Sequence, residues 1–133
     1  MIVVDSSAWI ANLRSLTTPV VRRLRETVDT ADDQILIGDI ILLEILQGAR
    51  DDAHAARIER ALETYPIAPM LDAGLAVQAA RNYRRLRALG ITVRKTADLI
   101  IGTFCVAGGH ALLHDDRDFD AMEDHLGLTI IHP

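Results

Sequence analysis

Several carboxylates stand in stretches of the sequence that are otherwise apolar. Asp5 follows a short β-branched run, and Glu44 interrupts a longer apolar one. Asp98 is the only charged residue from Thr96 to Gly109. Three more acids follow directly on the apolar triplet at 111–113: Asp115, Asp116 and Asp118. Carboxylates within apolar runs are costly unless they are paired or bind a metal ion, so their placement indicates a functional site.

Few bases lie close in sequence to balance these acids. Residues 98–133 contain one base, Arg117, and seven acids, whereas residues 1–97 carry a net charge of +1. A cluster of carboxylates alone is an oxygen-only ligand set, which suits Mg²⁺ or Mn²⁺. The overall charge of −5 argues against indiscriminate nucleic-acid binding. A bound divalent ion would reverse the sign locally, so a nucleic-acid substrate stays open.

Each acid also has a structural role open to it. Asp5 and Asp98 are suited to capping helices, and Glu44 could lie on a solvent-facing side of its helix. Other chemistries fit less well, because dinucleotide, P-loop and α/β-hydrolase motifs are absent and the histidines lack zincin spacing. A receiver-like phosphorylation domain would need a lysine late in the sheet. The only lysine, Lys95, instead precedes the helix of Asp98.

The elements that must position the acids alternate along the chain. We predict strands at 2–4, 35–37, 111–113 and 128–131, with an extended connector at 65–69. We predict helices at 6–13, 20–30, 40–49, 51–63, 73–89, 96–108 and 119–126, with Ser6 or Ser7, Asp39 and Asp72 as N-caps. This pattern is typical of an α/β fold with a parallel sheet covered by helices on both sides. Sites in such folds form at the carboxyl ends of strands.

The composition is that of one ordinary folded domain spanning residues 1–133. Half of the residues are hydrophobic and 25% are charged, which excludes disordered and collagen-like chains. Cys105 is the single cysteine, so an intrachain disulfide and a thiolate zinc site are excluded. The N-terminus lacks the basic region of a signal peptide, and the longest apolar stretch is too short for a bilayer. We therefore expect a soluble, cytoplasmic protein without a membrane contact.

Four segments resemble, in order, the motifs of PIN-domain nucleases. They are residues 3–10 (VVDSSAWI), 42–48 (LLEILQG), 96–101 (TADLII) and 113–119 (LHDDRDF). The likeness covers essentially the whole chain, and it is closest to the VapC-type toxins of bacterial VapBC toxin–antitoxin pairs. It implies an acidic quartet of Asp5, Glu44, Asp98 and Asp116. Asp116 is chosen over Asp115 and Asp118 because the family's acid usually lies three positions before a phenylalanine, and Ser7 carries over as a residue near the metal.

This resemblance implies a three-layer α/β/α PIN-like domain with a short parallel central sheet. It also implies a Mg²⁺- or Mn²⁺-dependent endoribonuclease that cleaves structured cellular RNA, such as tRNA or rRNA, and a homodimer inhibited by a cognate antitoxin. Asp5 and Asp98 would bind the ion directly, and Glu44 and Asp116 directly or through water. Two alternatives remain open: an RNA-maturation nuclease without a toxin role, and a non-catalytic binding module on the same fold.

Arginines away from the quartet are candidates for holding RNA phosphates. They fall on two predicted helices, as Arg22, Arg23 and Arg25 on one and Arg81, Arg84, Arg85 and Arg87 on the other. A solvated helix face is an equally good interpretation of both groups.

Overall fold

The computed structural model describes residues 1–133 and contains one five-stranded sheet. Its strands are β1 (Ile2–Val4), β2 (Ile35–Gly38), β3 (Ile67–Ala68), β4 (Ala111–Leu113) and β5 (Thr129–Ile130). Every neighbouring pair is parallel, and the order across the sheet is β3-β2-β1-β4-β5. The predicted parallel sheet is thereby confirmed.

Seven helices surround this sheet. They are α1 (Ser6–Leu13), α2 (Pro19–Ala31), α3 (Asp39–Gln47), α4 (Asp52–Leu62), α5 (Ala73–Ala88), α6 (Thr96–Gly108) and α7 (Asp120–Leu126). They pack in two groups, α1 with α2 and α3, and α5 with α6 and α7. The central strands are buried almost throughout, as expected of a parallel sheet with a helical layer on each face. None of the helices combines the length and apolar character that crossing a bilayer requires.

The strand order places a topological switch point beside β1. The chain runs from β1 to β2 on one side and later returns to β4 on the other, with Val3 opposite both Leu36 and Leu112. Open α/β sheets bind ligands in the crevice at such a point, outside the carboxyl ends of the strands. The backbone N–H of Asp5 donates to the carbonyl of Leu113 at 2.9 Å, which joins the two strand ends there.

Two helix caps differ from the predicted residues, for different physical reasons, and the first is the capping role that the sequence left open for Asp5. The N-cap of α1 is Asp5 itself, not Ser6 or Ser7, because its carboxylate accepts the N–H of Ser7. The N-cap of α3 is Gly38, and Asp39 is the first helical residue. The Asp39 carboxylate instead accepts the distant backbone N–H of Met70 at 3.1 Å. The cap at Asp5 is thus a local hydrogen bond, whereas a tertiary contact, which local propensity does not include, occupies the side chain of Asp39.

The predicted ends of several elements also shift slightly. A 3-10 turn (Arg117–Phe119) precedes α7, which therefore begins one residue later than predicted. The strand predicted at 128–131 is confined to Thr129–Ile130. The cap at Asp72 is confirmed, since its side chain accepts the N–H of Leu75. None of these shifts moves an acid of the quartet out of its predicted element.

The helix that carries Asp98 depends on a close approach at Gly102. A Cβ at this position would overlap Sδ of Met122 in α7, whose side chain is fully buried and cannot swing into solvent. We expect Gly102→Ala to lower the free energy of unfolding by about 1–3 kcal/mol, as overpacking does in well-packed cores. Urea unfolding measures this change.

Gly74→Ala is the matched control. Gly74 lies in the exposed first turn of α5, and a Cβ there would make only an ordinary contact, 3.5 Å from a carboxylate oxygen of Asp72. Alanine should therefore stabilise the protein by about 0.5–1 kcal/mol through its better helix propensity. Equal effects of the two substitutions would show that α6 is not tightly packed at Gly102.

Candidate metal centre

An acidic cleft of ≈380 Å³ lies at the carboxyl edge of the sheet. All four acids of the predicted quartet line it: Asp5, Glu44, Asp98 and Asp116. Each comes from a different part of the fold, namely the residue after β1, helix α3, the first turn of α6 and the loop after β4. Folding thus brings to one place four carboxylates that are far apart in the sequence.

Asp5 is held firmly through one oxygen while the other has no partner. Its side chain is 3% exposed. Oδ2 accepts the hydroxyl of Ser7 at 2.6 Å and the backbone N–H of Ser7 at 3.2 Å. Oδ1 is buried and has no hydrogen-bond donor. A buried carboxylate oxygen in this state is strongly destabilising unless a cation lies against it.

Asp98, which comes from the C-terminal part of the chain, also has one buried carboxylate oxygen without a partner. It is 4% exposed, and its Oδ2 is buried without a hydrogen-bond partner. Its neighbours in α6 are apolar and buried, with Leu99, Ile100 and Ile101 following it directly. No base on its own helix can therefore neutralise it.

Glu44 and Asp116 complete the lining and are only half-buried. An oxygen of Glu44 accepts the hydroxyl of Ser6 at 3.2 Å. Oδ1 of Asp116 accepts the N–H of Asp118 at 2.9 Å, while its Oδ2 lies 4.0 Å from Nζ of Lys95. Both carboxylates therefore retain ligand capacity at the more open side of the cleft.

Hydrogen bonds tie the loop after β4 to the start of α1. The Ser7 hydroxyl, which donates to Asp5, also accepts the backbone N–H of Asp115 at 3.0 Å. Nδ1 of His114 accepts the N–H of Asp116 at 3.0 Å, and its ring lies 5.0 Å from that of buried Phe119. Ser7 lies in the cleft lining, as the resemblance implies, and it links the first and last acids.

The three neighbouring acids after β4 have different surroundings. Asp115 is exposed, whereas Asp118 is half-buried and its Oδ1 pairs with Arg94 at 2.7 Å. Ligand oxygens of Asp98, Asp116 and Asp118 all lie within 4.8 Å of one another. The Arg94 guanidinium neutralises Asp118, whereas the nearest base to Asp116 is the ammonium of Lys95, 4.0 Å away.

Mutual proximity and burial shift the titration of the cleft. Burial, and then the charges of Asp5 and Asp116, raise the pKa of Asp98 to about 7. Burial also raises the pKa of Asp5, although hydrogen bonds from Ser7 oppose it. The pKa of Glu44 is raised by burial and by the nearby charge of Asp5. The cleft is therefore an electrostatically unfavourable site until a cation enters it.

The sequence missed the bases that actually meet these acids. Arg117, the only base near them in sequence, is exposed and forms no ion pair. The partners are Arg94 and Lys95, which come just before α6. Both pairs span more than twenty positions, so no local signal in the sequence points to them.

The donor set of the cleft fits a hard divalent cation. Its charged lining groups are four carboxylates and the two bases Arg14 and Lys95, and two of the carboxylate oxygens are buried and unpartnered. Mg²⁺ and Mn²⁺ prefer such oxygen ligands. A divalent ion held here could activate water and stabilise charge on a phosphodiester.

Sequence comparisons identify relatives along nearly the whole chain. The sequence model of the PIN domain family matches residues 2–124. The VapC ribonuclease Mb1587 of Mycobacterium bovis and ribonuclease VapC11 of Mycobacterium tuberculosis are each 32% identical over 122 residues. Those residues are 92% of this chain and 91% of each relative.

Solved structures share the fold at lower sequence identity. VapBC2 of Rickettsia felis, bound to a DNA fragment from its promoter, matches with a TM-score of 0.76 and 15% identity over 98% of both chains. VapBC-1 of nontypeable Haemophilus influenzae matches with a TM-score of 0.74 and 17% identity, covering 98% of this chain and 97% of the other. VapC20 of Mycobacterium tuberculosis, a toxin that cleaves the sarcin–ricin loop, matches with a TM-score of 0.72 and 17% identity over the full length of both chains.

The raised pKa values determine how stability depends on pH without metal. Asp98 shifts from 3.8 to about 7 on folding, so the native state binds more protons than the unfolded chain between these values. The free energy of unfolding should therefore fall as pH rises across this window, and Asp5 and Glu44 act in the same direction. Thermal melts in a chelating buffer measure it.

Asp98→Asn is the matched comparison for this pH series. Asparagine keeps the shape of the side chain and cannot titrate, so the decline with pH should be distinctly shallower. Stability that rises with pH across the same window, or an identical slope in the variant, would contradict the electrostatic description of the cleft.

Proposed function

This chain belongs to the PIN domain family, and from that premise we propose that its acidic cleft is the active site of a divalent-metal-dependent endoribonuclease of the VapC toxin class. One observation carries the proposal: Oδ1 of Asp5 and Oδ2 of Asp98 are buried and unpartnered in a single cleft. A structural role as helix caps explains neither oxygen. A cation bound in the cleft would supply the partner that these oxygens lack.

Asp5 and Asp98 would hold the ion directly, and Glu44 and Asp116 directly or through water. A bound Mg²⁺ or Mn²⁺ would activate water for attack on phosphorus and stabilise the charge that develops on the phosphoryl oxygens. No nucleophilic side chain is then needed. Cys105, the one thiol, is fully buried, and burial raises its pKa to about 12, which leaves it inert.

The chain's own residues fix the geometry of these ligands. Ser7 orients Asp5 through two hydrogen bonds, so its unpartnered oxygen keeps one direction. Ser6 orients Glu44 through one hydrogen bond. His114 accepts the N–H of Asp116 and thereby fixes the backbone from which the fourth acid projects. Outer-shell partners of this kind orient ligands and tune metal sites.

The substrate we propose is structured cellular RNA, such as tRNA or rRNA, in the cytoplasm. The arginines of α2 and α5 that the sequence singled out are all exposed: Arg22, Arg23, Arg25, Arg81, Arg84, Arg85 and Arg87. Guanidinium groups suit phosphate contacts. With an aromatic content of 4%, base stacking is a minor part of recognition.

The partner we propose is an antitoxin whose segment lies in an apolar groove beside the cleft. Two hollows of ≈220 and ≈340 Å³ share Leu13, Ile45 and Ile58, so they form one groove between α1, α3 and α4. The larger hollow shares Ile10 and Arg14 with the acidic cleft. A segment bound along this groove would end at the active site and block it.

Leu13→Asp tests this docking surface. Leu13 is 47% exposed, and a charge there should prevent co-purification with a co-expressed cognate antitoxin while leaving the fold intact. Leu89→Asp is the control, because Leu89 is similarly exposed at 54% but ends α5, away from the groove. Equal loss of co-purification in the two variants, or no loss in either, would refute the groove as the docking site.

We also propose that the chain forms a homodimer. Sedimentation of the chain without antitoxin tests this proposal.

Asp98→Asn tests the active site. The variant should cleave RNA more slowly by orders of magnitude, because the ion supplies both the nucleophile and the charge stabilisation. At Mn²⁺ concentrations near 100 times Kd, the parent should gain about 2.7 kcal/mol of stability, and the variant much less. An RNA cleavage assay and thermal melts with and without Mn²⁺ measure the two effects.

Asp124→Asn is the control for the loss of one negative charge, since Asp124 is exposed on α7 outside the cleft. It should cleave and melt like the parent. Asp116→Asn should resemble Asp98→Asn, whereas Asp118→Asn should retain more activity. If Asp98→Asn kept both full cleavage and the full Mn²⁺ shift, Asp98 would be no ligand. A parent that gains the Mn²⁺ shift but cleaves no RNA would instead be a binding module.

A further inference from the structure

Lys95 stands at the mouth of the acidic cleft without a firm partner. It is the only lysine of the chain, against thirteen arginines. Its Nζ lies 4.0 Å from Oδ2 of Asp116, and it lines the same cleft as the four acids. Its side chain is 64% exposed. The separation exceeds hydrogen-bond distance, so the ammonium is attracted to the cleft and free to move.

The neighbouring base behaves differently. Arg94 donates to Asp118 at 2.7 Å, a charge-assisted hydrogen bond that fixes both side chains. Lys95 precedes α6 and does not cap it through its side chain. A lysine ammonium is a compact charge on a flexible stem, whereas a guanidinium is planar and preorganised. Of these two adjacent bases, one is therefore committed to a structural contact and the other is available to a ligand.

Charge balance indicates what that ligand is. When the carboxylates of the cleft bind divalent ions, their negative charge is largely neutralised and Asp116 no longer needs an ammonium beside it. An RNA strand then brings new negative charge, as phosphate, to the same mouth. Lys95 is the nearest base to Asp116 that is not already in a hydrogen bond to an acid.

We propose that Lys95 binds a phosphate of the RNA strand at the mouth of the acidic cleft, and that its ammonium leaves Asp116 to do so. This rests on the proposed ribonuclease function, because it assumes RNA as the ligand. Lys95 is then a substrate-binding residue, with two successive partners: the Asp116 carboxylate in the free protein and a phosphate oxygen in the complex.

Binding of a fluorescently labelled RNA stem-loop with a single-stranded loop, in Ca²⁺ to limit cleavage, tests the proposal across a series of salt concentrations. Lys95→Met should weaken binding about tenfold, and it should reduce the slope of log K against log salt by about 0.7, the value for one lost phosphate contact on a single strand. Lys95→Arg keeps the charge and should retain the slope. Arg60→Met removes an exposed base on α4, outside the cleft, and should leave both quantities unchanged.

Mn²⁺ titration by calorimetry without RNA separates this role from a purely structural one. Removing a positive charge from the cleft mouth should leave Mn²⁺ affinity unchanged or raise it in Lys95→Met. A loss of Mn²⁺ affinity would mean that Lys95 shapes the metal site, which overturns the proposal.

The remaining outcomes are also decisive. Parental RNA affinity and salt slope in Lys95→Met, or an equal loss in Arg60→Met, would refute a phosphate contact at Lys95. A parent that binds RNA with the expected Lys95 dependence but does not cleave it would refute the nuclease function alone. A parent that neither binds nor cleaves RNA would refute both.

Discussion

Two carboxylate oxygens buried without a hydrogen-bond donor are the constraint on which this structure depends. Oδ1 of Asp5 and Oδ2 of Asp98 lie in one cleft, and burying a charge without a partner is among the most unfavourable arrangements in a folded protein. The apolar core must offset this free energy. Strand β1, the buried face of α6 and the strands on either side of β1 supply that core. A cation bound in the cleft would offset this penalty, and it would thereby couple ligand binding to stability.

The sequence predicted the acids because their surroundings made them conspicuous. Asp5, Glu44 and Asp98 interrupt apolar runs, and alternating strands and helices fix which ends of the strands meet. Strand order, by contrast, has no local signal, and neither does the long-range hydrogen bond from Met70 that occupies the side chain of Asp39. Periodicity therefore predicted which segments are helices and which are strands, whereas strand order and long-range side-chain contacts became visible only in the tertiary structure.

The choice among the acids after β4 shows where sequence reasoning stops. Asp115, Asp116 and Asp118 are chemically identical, and the resemblance alone selected the second. The structure separates them by environment, since one is exposed and another is neutralised by Arg94. That ion pair spans 24 positions and has no periodic signature, so counting bases near the acids in sequence identified Arg117, which forms no ion pair.

Ser7 explains why the site can form only in the complete fold. Its hydroxyl donates to Asp5, two residues before it, and accepts from the backbone of Asp115, which is 108 positions away. The β1–β4 pairing brings these two segments together, with the N–H of Asp5 on the carbonyl of Leu113. The sheet therefore sets Asp5 in register with the loop after β4, and one hydroxyl joins Asp5 to the backbone residue that precedes the fourth acid. A partly folded chain that lacks β4 would hold Asp5 without the fourth acid, so the carboxylates meet and repel one another only after most of the apolar surface that offsets their repulsion is buried.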